Sequence, residues 1–345
     1  VHLTRPQIND DVTQPAAATP GVDAIRAGAP KARRGRAALL ALACLGLAWP
    51  LLAAAPARVV VVAEDSALHR EITAAAGARL RELGSPATLE IRAAGTPLEA
   101  MSPAPSLLVS VGSHVARALD GSALAVPLLH AAVPESVFGP LHAARGEADR
   151  HRHTALLLDQ PPARQLRLLR LALPHFTRIG VLSRTGSEPL LEDLRASASA
   201  QGAELLVARV EQPRLLLTRL NELLQRVDAL LVTPDPELYN QVTLQNVLLT
   251  SYHQRKPVIG LSAAYVRAGA LLAVHSEPAD LGRDLGDLID RLLAGGRLAQ
   301  LPGPAYPRRF SVTVNAHVAG ALGLDRILPE TSQLERMLRD AERTP

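Results

Sequence analysis

The chain has one cysteine, one tryptophan, two methionines and seven other aromatic residues, four tyrosines and three phenylalanines, in 345 positions. Cys44 and Trp49 both lie in a single apolar run, Ala37–Ala57, so the remaining sequence can form no disulfide, zinc–thiolate centre or cysteine nucleophile. Lysine is almost absent, with only Lys31 and Lys256. An arginine-dominated basic complement of this kind reflects base composition of the coding sequence rather than a surface built for phosphate backbones. No G-x-S-x-G, H-E-x-x-H, P-loop or G-x-G-x-x-G occurs, which removes the common hydrolase, zinc-peptidase and nucleotide-binding chemistries. Enzymatic function is therefore not expected, and no cofactor or metal is implied.

What is present begins with export machinery. Arg33, Arg34 and Arg36 precede the apolar run, which closes on Ala55-Pro56-Ala57. A cationic start, an apolar core and a small-x-small end make a secretory signal. Residues 1–57 are read as an N-terminal extension plus this signal peptide, with Val22 as the expected start, and the protein is expected in the periplasm. Two alternatives stay open: an uncleaved leader as membrane anchor, or lipidation at Cys44 within Ala41-Leu42-Ala43-Cys44. Removing the six Lys/Arg and three Asp/Glu of residues 1–57 from totals of 37 and 33 leaves 31 basic against 30 acidic residues. The basic pI is then a property of the leader, and nucleic acid is not an expected partner.

From Arg58 onward short apolar runs alternate with amphipathic stretches. The runs are Val59–Ala63, Leu107–Val111, Val126–Ala131, Ala155–Leu158, Ile179–Leu182, Leu205–Val210, Ala229–Val232, Val258–Leu261 and Leu271–His275. Near-continuous apolar strands separated by helices indicate parallel sheets covered on both faces. Leu166, Leu169, Arg170 and Leu173 fall at helical spacing with arginines on the other face, and Leu281, Leu285, Leu288 and Leu292 repeat that pattern. The length exceeds one comfortable α/β core, so two domains are expected, with a seam at Asp159-Gln160-Pro161-Pro162. Phe310–Asn315 alternates as an edge strand would.

Open α/β sheets bind ligands at the carboxyl ends of their strands, where loops and helix N-termini converge. The polar residues there are Glu64, Ser66, Gly112, Ser113, Thr185, Thr233, Asp235, Ser262 and His275, with Tyr265 in the same loop as Ser262 and Asp159 at the seam. Ser113 and Thr185 also fit as helix caps. His151 and His153, with His142 nearby, sit among charged residues and read as a solvated turn rather than a metal site.

The segment Asp228–Gly323 resembles the ABC-transporter substrate-binding family of the tryptophan/aromatic-amino-acid type. The residues that carry the resemblance are Val232-Thr233-Pro234-Asp235, Lys256-Pro257-Val258-Ile259-Gly260, Tyr265-Val266-Arg267-Ala268-Gly269-Ala270, Asp280-Leu281-Gly282 and Val314-Asn315. Asp159–Leu166 and Arg178–Leu182 fit the same family. The resemblance implies a type I periplasmic-binding-protein fold: two doubly wound parallel-sheet lobes joined by three hinge crossings. The lobes would be 58–158 plus 278–305 and 159–277 plus 306–328, with 329–345 as a polar tail containing a surface helix. It places Gly112, Ser113, Asp235, Ser262 and His275 along the cleft. It implies a small polar ligand delivered by a monomeric protein to the membrane permease of an ABC transporter, or, alternatively, a sensing module signalling to a membrane receptor or kinase. The loops Ser183–Glu188 and Pro236–Asn240 depart from the family pattern, so the aromatic ligand does not carry over with the fold.

Overall fold

The computed structural model describes residues 56–97, 103–120, 126–296 and 298–343. The leader, with Cys44 and the expected cleavage site, lies outside them. All described residues belong to one unit, Ala55–Pro345, which contains two sheets.

The first sheet has the order β2-β1-β3-β4-β5 and is parallel throughout: β1 (Arg58–Ala63), β2 (Thr88–Ala93), β3 (Leu107–Val111), β4 (Leu128–Val133) and β5 (His153–Leu157). Its central strands are buried on both faces because both carry helices. On one face Val59, Val61, Val109 and Leu129 meet Ile72, Ala76 and Leu80 of α1 (Ala67–Glu82). On the other, Val60, Val62 and Leu108 meet Val115 and Leu119 of α2 (Ser113–Asp120). The helices α3 (Glu135–Ala144) and α4 (Glu147–Arg150) complete this lobe locally. β2 escapes sequence analysis for a physical reason: its residues Thr-Leu-Glu-Ile-Arg-Ala sit on an edge, largely open to solvent, and need no apolar run.

The second sheet has the order β11-β10-β9-β8-β6-β7. Its strands are β6 (Arg178–Ser183), β7 (Glu204–Arg209), β8 (Ala229–Leu231), β9 (Val258–Gly260), β10 (Leu272–His275) and β11 (Ser311–Val314). Only β11 runs antiparallel, on β10; its place at the edge is the one that the alternation of Phe310–Asn315 leads one to expect. The helices around it are α5 (Pro162–Ala172), α6 (Glu188–Ala200), α7 (Leu216–Leu224), α8 (Gln241–His253), α9 (Ala263–Ala268) and α11 (Ala316–Leu322).

Between β10 and β11 the chain returns to the first lobe as α10 (Pro278–Ala294), and Leu281, Leu285, Leu288, Ile289 and Leu292 join the core of the first sheet. Ala305 then pairs in parallel with Leu156 of β5 before the chain crosses back. α10 lies against α1 at backbone distance. A Cβ added to Gly282 would stand 2.4 Å from the Ile72 carbonyl oxygen, and one on Gly286 2.8 Å from Cβ of Arg79.

Residues beyond Leu328, read from sequence as a polar tail, are instead fastened to the second lobe. α12 (Thr331–Arg343) buries Leu334 and Leu338 fully in its core. Arg164, placed by the sequence pattern on the solvent face of α5, is buried. It binds both carboxylate oxygens of Glu342 at 2.5 and 3.0 Å and lies 4.4 Å from the centroid of the Phe310 ring. The aliphatic positions alone could not show this, because an arginine stem packs as readily as it extends.

Among the described residues, no helix is long and apolar enough to cross a membrane.

The α1–α10 contact makes a direct prediction. Gly282→Ala forces the two helices apart and lowers stability by about 1–3 kcal/mol in urea denaturation. Gly139→Ala, in α3 with open space around its position, is neutral or gains up to about 1 kcal/mol from helix propensity. Equal stability of the two variants would contradict this packing.

Candidate functional site

Three chain crossings join the lobes. The first leaves the carboxyl end of β5 and enters α5, the second leaves the carboxyl end of β10 and enters α10, and the third runs from Ala305 to β11. Two of them depart from strand carboxyl ends, so those ends of both sheets border the same junction. The crossings are tied to one another. Gln160 Nε2 of the first donates to Ser276 Oγ of the second at 2.9 Å, and Ser276 Oγ donates to the Arg309 carbonyl of the third at 2.6 Å. Arg164 Nη1 donates to Gln160 Oε1 at 2.6 Å and to the Pro307 carbonyl at 2.8 Å. Asp284 of α10, itself buried, accepts the backbone N–H groups of Arg308 and Arg309 at 2.7 and 3.0 Å and pairs with the Arg309 guanidinium.

On the first lobe, Ser66 caps α1, its Oγ accepting from the His69 backbone N–H at 3.2 Å. Glu64 stands 3.8 Å from His69 Nδ1. Gly112 turns at φ +91°, and a Cβ there would lie 2.7 Å from His69 Nε2. Glycine is thus required twice, for its left-handed backbone and for the ring laid across it. Ser113 opens α2. Asp159 is fixed by the Glu135 backbone N–H, which donates to its Oδ2 at 2.5 Å. Tyr306 of the third crossing donates its hydroxyl to Glu135 Oε2 at 2.9 Å. Burial, reinforced by the Glu135 charge, pushes the Asp159 carboxyl up to about 6, and burial also raises the Tyr306 phenol.

Glu135 and Tyr306, which adjoin Asp159 here, are not singled out by sequence analysis. The strand end was placed at Ala131, but β4 continues to Val133 through a bulge, with Ala132 at φ +54°. That irregularity carries the chain on to Glu135 at the start of α3, and no apolar run signals it.

On the second lobe the expected residues divide into those already bonded and those left open. Thr233 is buried and donates to the Leu182 carbonyl at 3.3 Å. Asp235 Oδ1 accepts the backbone N–H groups of Glu237 and Leu238 at 2.9 and 3.2 Å, holding its own turn. Thr185 does not cap a helix: α6 begins at Glu188, and Thr185 is exposed in the loop before it. Arg184, not singled out from sequence, joins that loop to the next through Glu237 at 2.7 Å and Asp235 at 3.7 Å. Ser262 precedes α9 without a cap hydrogen bond, and Tyr265 is half-buried beside it. His275 is buried at the second crossing. Its Nε2 lies 2.9 Å from Thr313 Oγ1, and burial lowers its pKa.

The expectation of a solvated histidine turn holds for His151, exposed in the turn before β5, and fails for His153. His153 lies in β5 and is 1% exposed. Its ring stands perpendicular to that of His130, with centroids 4.6 Å apart, and parallel to that of His142 at 5.4 Å. Phe138 packs on all three, and Ser110 Oγ lies 2.5 Å from His130 Nδ1. Every residue of β5 is buried, and alternation sets His153 on the face of Ala155 and Leu157, which Phe138 covers. Burial holds His130 and His153 neutral, with pKa values lowered to about 3 and about 2, and the Arg145 charge adds to both shifts. Among the described residues, no group of three or more histidine or carboxylate side chains is arranged to hold a metal ion.

Two predictions follow from these contacts. A histidine kept neutral in the fold but titrating near 6.5 when unfolded contributes stability that is intact above pH 6.5. That contribution is lost as the pH falls from 6.5 toward the folded values. Between pH 7 and pH 5 the loss is about 2 kcal/mol for each of His130 and His153, while Asp159, with its raised pKa, returns about 1 kcal/mol. Urea denaturation is expected to show a net loss of roughly 3 kcal/mol over that interval; pH-independent stability would contradict the burial of the pair. Gly112→Ala is expected to cost about 1–3 kcal/mol, and His69→Ala in the same chain to recover part of it by removing the clash. No recovery would show that backbone conformation alone requires the glycine.

Comparison with known proteins bears on this architecture. The sequence model of the ABC transporter substrate binding protein family matches residues 98–330. No curated relative matches the sequence. Among solved structures, the chain is similar to an ABC domain in complex with L-Trp from Streptococcus pneumonia, at 18% identity and TM-score 0.53, covering 81% of this chain and 98% of that one. It is similar to a conserved domain protein from Vibrio cholerae at 21% identity and TM-score 0.54, with coverages of 81% and 98%. It is also similar to a substrate binding protein with adhesive properties from Clostridium difficile in a ligand-free, open structure, at 17% identity and TM-score 0.58, with coverages of 77% and 95%. These likenesses are of fold, and the two parallel-dominated α/β lobes are those of type I periplasmic binding proteins. With the family model spanning well over half of its length, the chain belongs to the ABC transporter substrate-binding protein family.

Proposed function

We propose that the protein is an exported, non-enzymatic solute-binding protein. It captures a small polar ligand between its lobes and delivers it to the permease of an ABC transporter. The observation that carries this reading is the hydrogen-bonded junction of Gln160, Ser276 and the Arg309 carbonyl. It joins two separately packed lobes at one edge and leaves the polar strand ends on either side of it able to approach. A solute that touches both rims favours the closed form by the difference between its interactions with the two forms.

The side chains we assign to the ligand are those without a structural task in the rims: Ser113, Thr185, Ser262, Tyr265 and the free oxygen of Asp159. Glu64 and His275 border the same space. Ser66, Thr233 and Asp235 shape it through caps and turns, and Gly112 gives His69 its place. The neighbouring carboxyl groups of Glu135 and Asp159 favour a solute that presents a hydrogen-bond donor or a cationic amine. The scarcity of aromatic side chains argues against an aromatic amino acid as cargo. Export places the protein in the periplasm, where a monomer suffices for this task.

A thermal-shift screen against amino acids, polyamines, sugars, nucleobases and small anions tests the proposal. One solute class at one hundred times its dissociation constant is expected to add about 2.7 kcal/mol, a shift of several degrees. The shift is expected to vanish in Asp159→Asn and in Ser262→Ala. For a cationic solute, affinity is expected to fall below about pH 6, as Asp159 takes up its proton. No shift with any class would overturn solute capture.

A further inference from the structure

The second lobe carries a groove remote from the strand ends just described, along the open edge of its sheet. β7 is the terminal strand there, paired only with β6. A cavity of about 460 Å³ runs along it, lined by Val207, Ala208 and Arg209 of the strand, by Arg195 of α6, and by Arg219 and Arg226 in and just after α7.

The backbone orientation of β7 follows from its pairing. Glu204 donates to the Thr177 carbonyl and Val210 to the Ser183 carbonyl, both at the β6 side. Main-chain groups alternate sides along a strand. Glu204, Leu206 and Ala208 therefore face β6, while Leu205, Val207 and Arg209 direct their N–H and C=O groups outward into the groove. The two faces of the strand are covered by different helices. Leu205 and Val207 pack against the core containing Leu191 and Leu194 of α6, and Leu206 and Ala208 against that containing Leu220 and Leu223 of α7. The arginines thus flank the open edge from both sides of the sheet, Arg195 on one and Arg219 and Arg226 on the other.

Their charge is only partly answered. Arg209 pairs with Glu188 and Arg219 with Glu222, each at 2.9 Å. Among the described residues Arg195 and Arg226 form no ion pair, and the groove holds four arginines against Glu211 and Glu222. Positive side chains on an edge discourage self-pairing, because two copies meeting there would bring like charges together. A chain of opposite charge meets no such barrier.

We infer that this edge is a docking surface for an extended, acidic segment of a partner protein. The segment adds to the sheet as a further strand beside β7. Its main chain pairs with the outward groups of Leu205, Val207 and Arg209. Because its side chains alternate between faces, carboxylates on neighbouring positions reach Arg195 on one side and Arg219 or Arg226 on the other.

The test is fluorescence anisotropy of the full chain with a fluorescein-labelled eight-residue peptide of alternating glutamate and valine. Saturable binding is expected, weakening at least about tenfold between 50 and 300 mM NaCl, since the charges are solvent-exposed. It is expected to be at least about tenfold weaker in Arg195→Ala/Arg226→Ala, whose melting temperature stays unchanged because both side chains are on the surface. A peptide N-methylated at every residue, which has no backbone N–H to donate from either edge, is expected not to bind. Absence of binding overturns the inference, as does equal binding of a lysine-for-glutamate peptide. Equal binding of the N-methylated peptide also overturns it, by reducing the groove to a general anion site.

Discussion

The hydrogen bonds running from Gln160 through Ser276 to the Arg309 carbonyl connect three segments that are far apart in sequence and adjacent in space. Each crossing alone is a short irregular stretch whose polar groups must be answered before it can be buried. Bonded to one another, they form a junction whose polar groups are answered within the protein. Arg164 anchors the junction from α5 and α12, and Asp284 anchors it from α10, so each lobe grips it through its own helices. A lobe that lost its grip would leave buried amide and guanidinium groups unpaired, at about 1–3 kcal/mol for each neutral group.

This arrangement explains the unusual path of the chain. α10 belongs to the first lobe in packing but follows β10 of the second in sequence, and α12 returns to clamp the first helix of the second lobe. The glycines of α10 allow contact with α1 close enough to make the first lobe one body. Two separately packed cores and a bonded junction support the proposed closure, in which the rims at the strand ends would move as wholes about the junction. The rim residues are accordingly of two kinds. Ser66, Thr233, Asp235 and His275 spend side-chain hydrogen bonds within the protein, while Ser113, Thr185 and Ser262 are the ones the proposed function leaves to a solute.

Much of this was legible in the sequence because it rests on burial. Val59–Ala63 is apolar throughout, and Leu107–Val111 is so apart from Ser110, since both faces are covered, and such runs require parallel strands between helices. The rest depends on tertiary facts that no local pattern encodes. β2 has an edge position in place of an apolar run. The bulge at Ala132 moves the start of α3 to Glu135, so the partner of Asp159 could not be named. His153 reads as a loop residue until β5 is seen to extend back to it, and Arg164 reads as a surface residue until Glu342 and Phe310 are placed beside it. Which strand-end residues cap or turn and which are unbonded is decided by hydrogen bonds such as those of Ser66 and Asp235, and no sequence pattern encodes them.

The distance between the lobes, measured with and without solute, tests the account most directly. With Cys44 replaced by serine the chain has no other cysteine, so nitroxides at His114→Cys and Glu192→Cys, both on exposed helix positions, report one inter-lobe distance by double electron–electron resonance. The account predicts a single narrow distribution without solute, which the bonded junction enforces, and a shift to a shorter one when the solute that raises the melting temperature is added. A broad distribution without solute, or an unchanged distance with it, would contradict a junction that holds the lobes together and lets them close.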